Sequence, residues 1–177
     1  MARFSHCGYR NRVARRSRIR SVTREHDHAR CVDGALAEAE ALCVKRGVRL
    51  TALRRQTLEL VWRAHRAVKA YDLLRSLGGK AGRTKPPTVY RALEFLLQQG
   101  LIHRIESRNA FVGCANPAEA HDSELLVCEV CDVVEELAVP GLGRTLADAA
   151  AGVGFAFARA VVEVRGRCAR CRRSAVA

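Results

Sequence analysis

The sequence predicts an α+β chain: an N-terminal winged helix-turn-helix domain, then a small α/β domain carrying a structural four-cysteine zinc site. Three observations predict it. Helical apolar periods give way at Gly100 to a short alternating hairpin. Two Cys-x-x-Cys pairs, Cys128/Cys131 and Cys168/Cys171, stand 36 residues apart in the second half. The formal charge of +13 is unevenly placed, with +7 in residues 1–30, +8 in 31–113 and −2 in 114–177. A basic front and a slightly acidic back suit one part that meets a polyanion and another that does not. A chain of 177 residues can bury one or two small cores.

Residues 1–32 are expected to form a basic disordered extension. Over residues 1–30 Arg and Ser dominate, and neither a helical nor a strand period is visible. A transit peptide has a similar composition, and a true start nearer Val32 is a third reading. His26, His28 and Cys31 are read as parts of this tail and not as ligands.

Residues 33–113 carry the winged-helix pattern. Asp33 is expected to cap a first helix, Leu36 to Arg46, which Gly47 closes. Cys43 shares its stripe with Leu36 and Ala39, so it reads as core. Thr51 is expected to cap a second helix running to about Arg66, with Leu58, Val61 and Trp62 as apolar anchors. A short third helix, Ala70 to Leu77, ends at Gly78-Gly79. Lys69 stands at its cap in place of a small polar residue, a local weakness of about 1 kcal/mol or less. The Gly- and Lys/Arg-rich stretch from Gly78 to Lys85 reads as a loop.

The next helix is the one most open to a DNA reading. Val89, Ala92, Leu93 and Leu96 recur at i, i+3, i+4 and i+7, giving a single apolar stripe. Pro86 and Pro87 suit its first turn, where a missing N–H costs nothing, and Gly100 suits its left-handed end. Lys85, Thr88, Tyr90 and Arg91 fall at its start, off the stripe, where side chains of this kind reach phosphates and base edges in a major groove. An ordinary solvated polar face is the alternative for the helix alone. The hairpin that follows tips the balance: Leu101 to Glu106 alternates, Ser107-Arg108-Asn109 turns, and Ala110 to Gly113 returns. Basic wing residues are then expected to reach the DNA backbone.

Residues 114–124, with Pro117, read as a hinge, and 125–177 as the second domain. Its expected elements are strands Leu125 to Val130 and Val133 to Val139, a helix Leu142 to Ala151, and a strand Ala160 to Arg165. The paired Cys-x-x-Cys motifs offer four thiolates, the donor set of a closed structural zinc site. No thioredoxin-like βαβ context surrounds either pair, which argues against a redox dithiol.

Thr88-Val89-Tyr90-Arg91-Ala92-Leu93, with Leu50-Thr51 before it and the Cys-x-x-Cys pairs after it, resembles the ferric uptake regulator superfamily. The longer run from Lys85 to Leu97, with Ala70-Tyr71-Asp72-Leu73-Leu74 and Gly154-Phe155-Ala156, is similar to its zinc uptake regulator branch. The likeness spans about Ala35 to Cys171. It implies a zinc-responsive repressor of zinc uptake genes, a homodimer through residues 125–167 that binds an AT-rich inverted repeat of double-stranded DNA. It also implies a regulatory zinc site of His103, Cys114, His121 and Glu136, a set of two imidazoles, one thiolate and one carboxylate. Glu135, Asp132 and Glu119 are rival oxygen donors by position. An iron or peroxide sensor of the same superfamily is the alternative, and a structural zinc-ribbon nucleic-acid-binding protein the alternative from another class.

Other classes are disfavoured. No apolar run reaches the 18 or so residues of a membrane span, and no secretory signal core opens the chain, so a cytoplasmic protein is expected. A zinc hydrolase needs an open metal position and a general base. Neither His-Glu-x-x-His nor a nucleophile motif occurs, so no enzyme and no small-molecule substrate is expected.

Overall fold

The computed structural model describes residues 28–64, 66–78, 85–118, 123–137 and 139–174. The first domain packs helices α1 (His28–Lys45), α2 (Ala52–Ala64), α3 (Ala70–Leu77) and α4 (Pro86–Gln98) on a small sheet. That sheet has the order β1-β3-β2, with β1 Val68–Lys69, β2 Ile102–Ile105 and β3 Ala110–Gly113, all antiparallel. The second domain is a sheet of order β5-β4-β6, from β4 (Ser123–Cys128), β5 (Val134–Leu137) and β6 (Val161–Gly166). Helix α5 (Leu142–Ala151) precedes β6, which runs parallel to β4, and a short α6 (Ala169–Arg173) ends the described chain.

Helix α1 starts two turns upstream of the expected Leu36, so Asp33 lies inside it and does not cap it. The reason is burial. Val32, Leu36, Ala39 and Cys43 form one stripe, each 5% exposed or less, and the stripe extends one turn past the apparent start. Gly34 and the preceding His and Arg masked it, since a helical Gly costs about 1 kcal/mol relative to Ala. The basic extension therefore gives way to helix at His28, four residues before its expected end at 32. Residues 1–27, with His26, lie outside the described residues.

At the other end of α1 the expectation holds: Gly47 is left-handed at φ 66°, and the Val48 N–H closes on the Cys43 carbonyl at 2.9 Å. Helix α2 stops at Ala64, short of Arg66, because the chain must turn into β1. That strand was not expected. It pairs Val68 with Phe111 and Lys69 with Ala110, which is why Lys69 precedes α3 without a side-chain cap.

Trp62 lies so close to β3 that a Cβ on Gly113 would meet its ring at 2.5 Å, which restricts this position to glycine. The main core gathers Leu58, Val61, Leu73, Val89, Leu93, Leu96 and Phe111. A second cluster joins Ile105 and Val112 of the hairpin to Leu125, Val127 and Val134 of the other domain, with Ala67 against it. The hairpin thus packs through both faces, with Ile102 and Phe111 in the first core and Ile105 and Val112 at the domain junction. Among the described residues, no helix is long and apolar enough to cross a membrane.

Candidate metal centres and nucleic-acid interface

Helix α4 begins at Pro86, after an extended Lys85. It buries Val89, Ala92, Leu93, Phe95 and Leu96 and leaves Lys85, Thr88, Tyr90 and Arg91 exposed. Its end is fixed by Gly100 at φ 64° and by the Leu101 N–H donating to the Leu96 carbonyl at 2.9 Å. The Arg54 guanidinium stacks 3.6 Å over the Phe95 ring and ties α2 to α4. The helix is rigidly seated on the core while the four polar residues at its start face solvent.

Cys128 ends β4, and Cys131 follows in the turn before β5. Cys168 caps α6 and Cys171 lies within it, so one short helix start presents both sulfurs. The four Sγ atoms lie within 4.8 Å of one another, with Cys131 and Cys168 at 3.7 Å. The Cys168 N–H donates to the Cys128 sulfur at 3.4 Å. That bond, aided by the Cys131 and Val130 N–H groups, pulls the Cys128 thiol down to about 6. Its hydrogen-bonded neighbour Cys131 and the other two sulfurs push Cys171 up to about 12. Four sulfurs so close cannot all ionise unless a cation lies among them. Four thiolates around one centre fit a closed zinc site.

The second set lies at the domain junction. His103 on β2 shares a face with Ile105, and its Nε2 lies 3.0 Å from Oε1 of Glu136 on β5. The other carboxylate oxygen accepts the Ala115 N–H at 2.9 Å. Cys114, just past β3, is 1% exposed, and one ligand atom each of His103, Cys114 and Glu136 lies within 4.8 Å of the others. Burial first, and the Glu136 charge second, push its thiol up to about 12. Imidazole, thiolate and carboxylate fit zinc, whose charge would reverse that shift.

Three of the four residues named for this set therefore meet, and His121 lies outside the described residues, as does the rival donor Glu119. The other two rivals point elsewhere. Glu135 alternates away from Glu136 along β5, and Asp132 pairs with Arg108. Sequence reasoning missed the Ala115 N–H and the contacts of Asp132 and Glu163 with the first domain. None of these follows a spacing rule.

With the geometry in hand, the likenesses to known proteins can be placed. Residues 45–165 match the ferric uptake regulator family. The zinc uptake regulation protein of Escherichia coli (strain K12) is 42% identical over 137 residues, which cover 77% of this chain and 80% of that protein. The peroxide operon regulator of Bacillus subtilis (strain 168) is 28% identical over 141 residues, covering 77% and 92%. A zinc uptake regulator complexed with zinc and DNA superposes with a TM-score of 0.79 at 39% identity, covering 82% of this chain and 98% of that one. The crystal structure of holo XcZur gives 0.74 at 38% identity, covering 80% and 99%. With a match over residues 45–165 and 42% identity to a member, the chain belongs to the ferric uptake regulator family.

Proposed function

We infer that the protein is a zinc-responsive, DNA-binding transcriptional repressor that controls zinc uptake genes from the cytoplasm as a homodimer. One observation carries the reading: a donor set that fits zinc, drawn from both sides of the domain junction, in a chain 42% identical to a zinc uptake regulation protein. His103 belongs to the hairpin of the DNA-binding domain, Cys114 directly follows that hairpin, and Glu136 belongs to the second domain. An ion held by these residues, with His121, stabilises the relative orientation of two domains more than either fold alone. Lys85, Thr88, Tyr90 and Arg91 then meet an AT-rich inverted repeat, one α4 per half-site. The four-cysteine set is the structural zinc site, and 125–177 is the dimerisation and metal-binding domain.

Moving a population from mostly open to mostly closed needs about 5 kcal/mol of differential metal affinity, within reach of a four-ligand site. The thiolate in the donor set favours zinc over iron. Binding to duplex DNA is to be titrated across buffered free zinc, iron(II) and manganese(II). Tight sequence-selective binding that appears with zinc alone is the expected result. Binding gained with iron(II) and lost on peroxide treatment would establish the iron- or peroxide-sensing alternative. Metal-independent binding would leave a structural zinc-ribbon protein.

A further inference from the structure

The hairpin turn of the DNA-binding domain is held by two acids from the other domain. Between β2 and β3 the chain makes one 3-10 turn, Glu106–Arg108, which ends at Asn109 with φ 46°. Glu163 of β6 accepts both leading N–H groups of that turn: Oε1 takes Glu106, and Oε2 takes Ser107 at 3.2 Å. Arg108 Nη2, in the same turn, lies 3.4 Å from Asp132 Oδ1. The Asp132 carbonyl also accepts the Ala67 N–H at 3.2 Å, one residue before β1.

Asp132 is itself unusual. It is left-handed at φ 55° without being glycine, and it directly follows Cys131. A non-glycine residue there costs free energy unless its side chain compensates, and Asp is among the few that tolerate it. Its N–H is tied to the Cys128 carbonyl at 3.1 Å, so the turn that presents two of the four thiols also presents Asp132 to the wing.

We propose that Glu163 and Asp132 are positioning residues for DNA binding, forming a second, metal-free latch between the domains at the hairpin turn. The proposal rests on the reading of the chain as a metal-gated DNA-binding protein. The Glu106 and Ser107 N–H groups taken in this way are closed to phosphate, so this end of the wing serves to orient α4. Weights within the latch differ. The Arg108–Asp132 pair is half-exposed, and such pairs contribute little alone. Glu163 is the stronger member, because a carboxylate taking two backbone N–H groups makes charge-assisted bonds. The apolar contact of Ile105 and Val112 with Leu125, Val127 and Val134 lies behind both. A latch of this kind raises the closed fraction before metal arrives, and a larger closed fraction lowers the free metal needed for half-maximal DNA binding.

The test uses the full-length dimer and a duplex selected from random-sequence DNA by the wild-type protein at saturating zinc. Glu163→Ala removes the acceptor, and Glu163→Gln is the milder variant should the first fold poorly. Asp132→Gly removes the carboxylate while easing the left-handed backbone. Amide exchange at Glu106 and Ser107 should quicken by about tenfold in Glu163→Ala. Free zinc for half-maximal binding should rise by about tenfold in that variant and less in Asp132→Gly, with wild-type affinity regained at saturating zinc. Unchanged protection at both amides, or unchanged zinc dependence in all three variants, overturns the latch. So does a lost affinity that saturating zinc cannot restore while the amides stay protected, since that places the carboxylates at the DNA. A wild-type protein that selects no duplex at saturating zinc overturns the functional reading, and the exchange measurement then decides the latch by itself.

Discussion

His103 Nε2 lies 3.0 Å from Glu136 Oε1, although the two residues belong to different domains. His103 reaches the junction because β2 alternates: Ile102 faces the first core, Arg104 is exposed, and His103 and Ile105 face the second domain. Glu136 reaches it from β5, where its second oxygen is fixed by the Ala115 N–H. The pair is therefore sensitive to the relative placement of the domains.

Helix α4 gives the first expectation. Arg91 is exposed at the start of α4 while Leu93, 1% exposed, holds the helix on the core. Arg91→Ala should weaken operator binding by roughly 1–3 kcal/mol and leave the melting temperature and zinc content unchanged. Titration of the variant against the selected duplex is the check, and wild-type affinity removes Arg91 from the interface.

The four-cysteine set should behave as structure. Cys128→Ser replaces the sulfur that the Cys168 N–H serves and opens a closed site to solvent. The sheet between β4 and β6 is pinned at this corner, so the variant should lose thermal stability and dimer mass together. Metal analysis with light scattering checks this. Full zinc loading and a normal dimer in both Cys128→Ser and Cys171→Ser would dispose of the site.

A pH dependence follows from Cys114. Its thiol is pushed up to about 12, so in the metal-free protein it carries its proton throughout the neutral range. Zinc binds the thiolate, and each ion taken up at this site must displace that proton. Affinity should therefore rise with pH between about 6 and 8, by up to about tenfold per unit if no other group titrates. Competition against a zinc indicator at several pH values measures it. A flat profile would mean that Cys114 does not ligate.

Much of this was legible in the sequence, and what was not has physical causes. Helix α3, Ala70–Leu77, and α5, Leu142–Ala151, have the bounds expected of them, and α3 gives way at Gly78 as the glycine there suggests. The hairpin was legible because Leu101 to Glu106 alternates and Ser107-Arg108-Asn109 reads as a turn that lets Ala110 to Gly113 return beside it. Val32 was missed because a single apolar residue among Arg, His and Gly gives no period until Leu36 is known to share its core. Strand β1 spans Val68–Lys69 alone and exists through pairing with Phe111 and Ala110, a contact 43 and 41 residues away in the chain. The four clustered cysteines follow from spacing, since each Cys-x-x-Cys fixes its own half-site. The junction set does not. His103, Cys114 and Glu136 were named through family likeness, and only the fold brings them together.

Cys114→Ala separates sensing from scaffolding. The residue is the sole thiol in the junction set, whereas the four-cysteine set lies at the far end of β4 with thiols of its own. Removing it should lower zinc affinity at the junction and leave the structural ion in place, so about one zinc per subunit should remain. Its side chain is buried, but Cys→Ala removes a single sulfur atom, and the cost of the small cavity should be about 1 kcal/mol. The variant should fold, stay dimeric and lose sequence-selective binding at zinc levels that saturate the wild type. What binding persists should be salt-sensitive and indifferent to sequence, as expected from a basic surface alone. His121→Ala should give the same phenotype if that residue completes the set. Metal content, dimer mass and duplex affinity, measured on the same preparations, separate the outcomes. Unaltered zinc dependence in both variants would place the sensory site elsewhere, and the domain junction would then be a structural seam with no part in the response.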